Sequence, residues 1–516
     1  MKRSLMLLGA FAAAFLLLPG SAAGVQSASG LVQRGLQAFN QGDYSQARRL
    51  FSEAVKLDPS AANFNYLAKA EALTGDMAPA IVHFQHSLRL GNDSADLRYN
   101  LGIAFVKQNQ IAKAVPEFSA ALLKRPQWAQ AKFSLARALL DSGRAQESLP
   151  YFEQLRKASP NSPEIWANLV RAQFEVGDSA QALKNIDNAT SALPDDSSLA
   201  LIMAQLAYGH EQYQKARYLL ENVMELRPND NSPKLLLAEV SMASGQNVEA
   251  LAVLKNVPNT AGSPGQVDYI KGRVLLLSGK TAEASPFLSA AVAAAPSNVD
   301  YLLAKSEMEL AEGSDQGALA TLSKAHKIRP RSAHVLYQLA LTYVYMQRYE
   351  EAKTACKQVV LLKPKVAMVH GLMGIIDLNQ KDFAAAEATF RQAIALEQSS
   401  ATSHVGLSVA LFKDGKAAEA REELDRAIAL DPRMALAYFW RGRVLSSQGQ
   451  NKAAISDLET FTALDPDFAG AYQLLQQAYR AEGDAQKASS AQSKYAALKA
   501  RKTVSAASLE QILLDQ

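Results

Sequence analysis

The chain reads as an all-α solenoid, a row of helical hairpins stacked side by side. Three observations predict this class. A small residue recurs with a period of 34, a large residue follows it four positions later, and glycine and proline punctuate each period at fixed offsets. Length alone, 516 residues, suggests three or four ordinary domains. Hydrophobic residues at 48% and charged residues at 20% fit a folded chain, not a disordered one.

The first element is an expected leader. Met1-Lys2-Arg3 is a short basic start, residues 4–18 form an apolar run, Pro19-Gly20 breaks it, and Ser21-Ala22-Ala23 supplies the small residues of a cleavage site. The run is short for a membrane span, which needs about 20 apolar residues. The reading is a secretory signal peptide over 1–23, cleaved after Ala23, with an uncleaved anchor as the alternative. The break has no neighbouring cysteine for a lipid anchor. The expected location is therefore exported, periplasmic or secreted, with a bacterial envelope as the working setting and no stable membrane span after cleavage.

Next come the repeats. Ala47 and Ala80 open the column, and from Ala80 it runs every 34 residues through Ala114, Ser148, Ala182, Ala216, Ala250, Ala284, Ala318, Ala352, Ala386, Ala420, Ala454 and Ala488. A small residue at fixed period marks two helices passing at close range. Four residues on stand Phe51, Phe84, Phe118, Phe152, Ile186, Leu220 and their successors, on the same helix face. Twelve residues after the alanine, ten of fourteen slots hold proline, which stops a helix. Five residues before it, ten hold glycine, suited to a left-handed turn. Each unit is thus helix, glycine turn, helix, proline turn.

Leu101-Gly102, Phe105, Ala114, Phe118, Ala121 and Pro126 show the whole pattern in one unit, as do Gly35, Tyr44, Ala47, Phe51, Ala54 and Pro59. This resembles the tetratricopeptide repeat family. The resemblance covers a continuous stretch, 24–502, as about fourteen repeats, and implies a right-handed α-solenoid superhelix with a concave face lined by first helices. Repeat seven departs from the pattern, with Pro258 four residues early and a Gly/Pro-rich stretch after it, so its second helix should end short and a joint is expected near 256–265. Repeat fourteen, 469–502, carries Gln476 and Gln492 at core slots, as a terminal capping unit needs. The tail 503–516 holds Leu509, Ile512, Leu513 and Leu514 at helical spacing, and reads either as a capping helix or as a docking segment.

The chemistry-bearing patterns are missing. The sequence has no phosphate-binding GxxxxGK[ST] or GxGxxG, no HExxH and no CxxC. His83 and His86 lie one turn apart, but a metal site needs further ligands, so none is assigned. Cys356 is the only cysteine and fills a large-residue slot, as a packed thiol would. Net charge is +4, too balanced for a nucleic-acid binder. The expectation is a non-catalytic protein-binding scaffold that needs no cofactor. The alternatives are a self-associating array, or an enzyme or ligand-binding protein with a cryptic site.

Carrying the family's groove positions onto this chain implicates Tyr99, Phe133, Arg137, Arg171, Tyr269, Arg273, Tyr337, Leu341, Ile375, Val405, Val409 and Phe412 as partner-groove candidates. The last six form an apolar strip that is either an exposed binding surface or a product of tight packing between neighbouring helices. The three arginines either meet a partner's carboxylates or pair with Glu164 and Glu175. The partner itself is an unspecified peptide or helix of another protein.

Overall fold

The computed structural model describes residues 27–500 and Leu513; the expected leader and the remainder of the tail lie outside the described residues. Among the described residues, 28 α-helices run from α1 (Ala28–Asn40) to α28 (Ala485–Ala500), with one 3-10 turn and no strand. They pair into hairpins, an odd-numbered first helix of mostly 13 residues and an even-numbered second helix of mostly 14.

The glycine column explains the turn within each hairpin. All ten of its glycines have positive φ, between 71° and 92°. The four repeats without glycine keep the same conformation, with Asn109, Glu211, Gln347 and Lys381 at φ of 56° to 61°. The hairpin therefore dictates a left-handed residue at this slot whatever side chain stands there, and the four substitutes carry the strain of a Cβ in that region.

The alanine column is the closest point between helices. Every one of its alanines up to Ala454 has no exposed surface, and Ala488 in the last repeat has only 3%. Ser148 fits the same slot by turning its hydroxyl to the Ala145 carbonyl, 2.7 Å away. The large residue four positions on packs against a small one in the first helix. A Cβ placed on Gly102 would lie 2.6 Å from the Phe118 ring, and one on Gly374 would lie 2.8 Å from the Phe390 ring. Small and large slots are thus two halves of one contact, which limits room for additional rings.

Two compact units are present, up to Val240 and from Ser241, divided within α13 (Ser232–Ala243). In the second unit, α14 (Asn247–Val253) has only 7 residues and gives way to a 3-10 turn at Leu254–Asn256. Pro258 is the cause: it drives Val257 out of helical geometry, to φ −90° and ψ 122°. The second helix of repeat seven thus ends short, as the early Pro258 leads one to expect, and the division between units falls earlier. Repeat fourteen ends the row with a polar contact, the Gln476 amide donating to Gln492 Oε1 at 3.1 Å.

Successive first helices touch within each unit. In the first, α3 (Ala61–Thr74) meets α5 (Ala95–Lys107), and α7 (Ala129–Asp141) meets α9 (Pro163–Glu175). In the second, α21 (Ala367–Asn379), α23 (Ala401–Lys413), α25 (Ala435–Ser447) and α27 (Ala469–Ala481) touch in sequence. No comparable contact joins successive second helices among the described residues. The first helices therefore form the inner layer of the curve in each unit.

Candidate partner-binding surface

Each candidate of the inner layer has a definite place. In the first unit, Tyr99 is only 9% exposed, its ring 4.6 Å from that of Trp128 and 5.6 Å from that of Phe118. Its hydroxyl lies 3.4 Å from Ser134 Oγ in the next first helix, and burial pushes its phenol up from the ordinary value. Phe133 is half-buried, edge-on to Phe152. Arg137 is exposed and lies 3.6 Å from Asp141, which also accepts from Arg171 at 2.7 Å.

In the second unit, Tyr269 stacks on Tyr301 with ring centres 4.8 Å apart. Arg273 pairs with Glu307, whose second oxygen accepts from the Gln338 amide at 3.4 Å. The Glu164 and Glu175 pairings expected for the arginines are replaced by these. The reason is geometric: Asp141 and Glu307 stand on the first helix of the repeat adjoining that of Arg171 and Arg273, so these two arginines bridge repeats, whereas Arg137 meets Asp141 within α7. Arg171 and Arg273, paired in this way, act as spacers along the layer.

The apolar strip divides. Ile375 is 3% exposed, and Val405 and Val409 have no exposed surface. These three are core, because contact between α21, α23 and α25 closes over them. Tyr337, Leu341 and Phe412 remain half-buried, and burial pushes the Tyr337 phenol up to about 12. Exposed apolar side chains on the first helices include two further groove positions, Met368, 62% exposed, and Val106, 36% exposed, together with Ile202 and Leu277. Family positions alone did not single out Trp440, fully buried between Phe412 and Phe439 with the Arg443 guanidinium 4.6 Å above its ring. An aromatic at a slot that other repeats fill with smaller side chains is the signal that could have found it.

Reactive groups are placed for packing. Cys356 is buried, and its thiol is pushed up to about 12, chiefly by burial. It is therefore a protonated core residue at neutral pH. His83 lies 2.7 Å from Glu71 and His86 3.0 Å from Arg89, with both imidazoles against the Phe64 ring. Among the described residues no three His, Cys, Asp or Glu side chains converge on a metal position.

Sequence models of the tetratricopeptide repeat match residues 28–61 and, in overlapping stretches, 99–163, 139–206, 207–274, 269–333, 309–376, 372–435 and 405–467. The chain belongs to the tetratricopeptide repeat family. No curated protein matches it. Among solved structures it is similar to the APC/C hetero-tetramer Cut9-Hcn1, with 15% identity over 88% of this chain and 96% of that one and a TM-score of 0.44. It is also similar to yeast Tom70, with 15% identity over 88% of this chain and 95% of that one and a TM-score of 0.35. Tetratricopeptide repeat proteins bind protein partners, and an interaction scaffold is the general role that this membership supports.

Proposed function

We propose that the chain is an exported, non-catalytic scaffold of the bacterial cell envelope, and that it holds a peptide or helix of a partner protein against its first-helix layer. The observation that carries the reading is that layer: first helices touch one another within each unit and carry exposed side chains, Val106 and Arg137 in the first unit and Met368 in the second. A row of this kind offers a long surface of fixed spacing, suited to an extended ligand that contacts several repeats at once. No helix of the described residues is long and apolar enough to cross a membrane. The leader-like start of the sequence supports export.

Two experiments test the reading. N-terminal sequencing of the protein recovered from an envelope fraction should begin at Gly24; a chain retained in the cytoplasm with an intact Met1 end overturns export. Met368→Glu should weaken binding to a purified partner at least tenfold while leaving melting unchanged, since the side chain is exposed. Unchanged partner affinity would place the interface elsewhere.

A further inference from the structure

Leu513 is the one described residue of the C-terminal tail, and it has no exposed surface. It lies in the same buried apolar cluster as Val405, Val409, Trp440 and Val444. Its carbonyl accepts the indole N–H of Trp440, 3.2 Å away in a buried setting. Trp440 stands on α25, a first helix, and its ring neighbours Phe412 of α23 at 6.2 Å. The seat of Leu513 is therefore on the inner layer, against repeats twelve and thirteen, 73 residues upstream of Leu513 itself.

Three further observations fit an occupant held by apolar and charge complementarity. A buried indole N–H needs an acceptor, and the described protein meets that need with a main-chain carbonyl from a distant segment. Positive charge rims the seat: Arg443 covers the Trp440 ring, and burial holds its guanidinium below the ordinary value. Lys413 is lowered first by burial and then by the charges of Arg443 and Lys381. The tail sequence brings the opposite sign, with Glu510 and Asp515 on either side of Leu513. Reach is sufficient, because the chain advances thirteen residues from Ala500 to Leu513, and at roughly 3.3 Å per extended residue this exceeds the width of the few helices, each about 10 Å across, between α28 and α25.

We propose that the Trp440 seat on the first-helix layer is a binding site for a leucine-bearing acidic segment, and that its resident occupant is the chain's own C-terminal segment, bound in cis. A partner segment of the same chemistry would have to displace it, so the tail sets a threshold for binding at this end of the layer. The proposal rests on the reading that the first-helix layer is the binding face. Its test uses no partner, so its failure leaves the partner-binding experiment above untouched.

The experiment uses the full chain carrying Trp128→Phe and Trp166→Phe, which leaves Trp440 as the only tryptophan. The parent should emit at short wavelength and resist iodide quenching, because Trp440 has no exposed surface. Leu513→Asp should shift emission to the red and raise the quenching constant several-fold, with far-UV helicity unchanged. Adding a synthetic peptide of residues 501–516 in excess should restore the parent values. Leu513→Ala should give an intermediate result and Leu513→Met the parent result. Unchanged emission and quenching in both Leu513→Asp and Leu513→Ala would overturn the proposal. So would a loss of helicity in Leu513→Ala, which would make the segment an integral part of the core. Dependence of the parent's quenching on protein concentration would assign the occupant to a second copy and overturn binding in cis.

Discussion

The left-handed turn of each hairpin supports a quantitative prediction. Gln347 and Lys381 occupy it in two adjoining repeats of the second unit, at φ 57° and 61°. A side chain with a Cβ costs roughly 1–2 kcal/mol in this region. Glycine removes that strain but adds conformational freedom to the unfolded chain, worth about 0.4–1 kcal/mol. The net gain is about 0.5–1 kcal/mol for each of Gln347→Gly and Lys381→Gly, or about 1–2 kcal/mol together, since the two turns are separate. For a cooperative unit of this size about 1 kcal/mol corresponds to roughly 2–4 °C. Thermal unfolding followed by circular dichroism should therefore show the double variant melting several degrees above the parent. The control runs the other way. Gly313 and Gly415 have φ of 74° and 81°, and a Cβ on either would meet nothing within 4 Å. Gly313→Ala and Gly415→Ala thus add backbone strain without a clash, and each should lower stability by about 1 kcal/mol. A lower melting temperature in the glycine double variant, or no effect in either alanine control, would refute the claim that hairpin geometry imposes a left-handed residue here.

Three other outcomes follow from the packing and the charges. Gly102→Val places branched methyls against the Phe118 ring, where even a Cβ would approach to 2.6 Å; it should destabilise by about 1–3 kcal/mol in denaturant titration, while Gly143→Ser at an open turn should cost less. Cys356 should react with a thiol reagent at neutral pH only as fast as the surrounding repeats open, because the thiol is buried and pushed up to about 12; rapid labelling of the native protein would contradict its placement. Glu387 is held below the usual carboxylate value of 4.5, first by Lys416 and then by Arg391. A depressed folded value means that its stabilisation is complete above the unfolded value and fades as pH falls through the folded one. Glu387→Gln should therefore narrow the stability difference between pH 7 and pH 3.

Much of the fold was legible because the repeat makes one physical requirement visible fourteen times. A contact that tolerates only a small side chain, a turn that favours glycine and a stop that favours proline each leave a column. The strained turns at Asn109, Glu211, Gln347 and Lys381 were hidden, since nothing in those residue types announces the conformation that the neighbouring repeats impose. The binding surface was less legible. Family positions say which side chains start on the first-helix face, but exposure depends on how closely the next first helix approaches. Val405 and Val409 are closed over while Met368 on the preceding first helix stays open. The sequence leaves the arginines two readings, a partner's carboxylates or Glu164 and Glu175, whereas Arg171 and Arg273 find acidic partners one repeat away. The Trp440–Leu513 contact joins residues too far apart for any periodic pattern to reveal.

The central claim is that partners meet the first helices. It is tested most directly by placing a photo-crosslinking amino acid at single exposed positions of the full chain and irradiating it with a purified partner. Met368 and Arg137 report the first-helix layer, and Leu123 and Leu361, 82% and 83% exposed, report the second helices. Discrete crosslinks from Met368 and Arg137, with none from Leu123 or Leu361, are the predicted result; the reverse pattern would contradict the account.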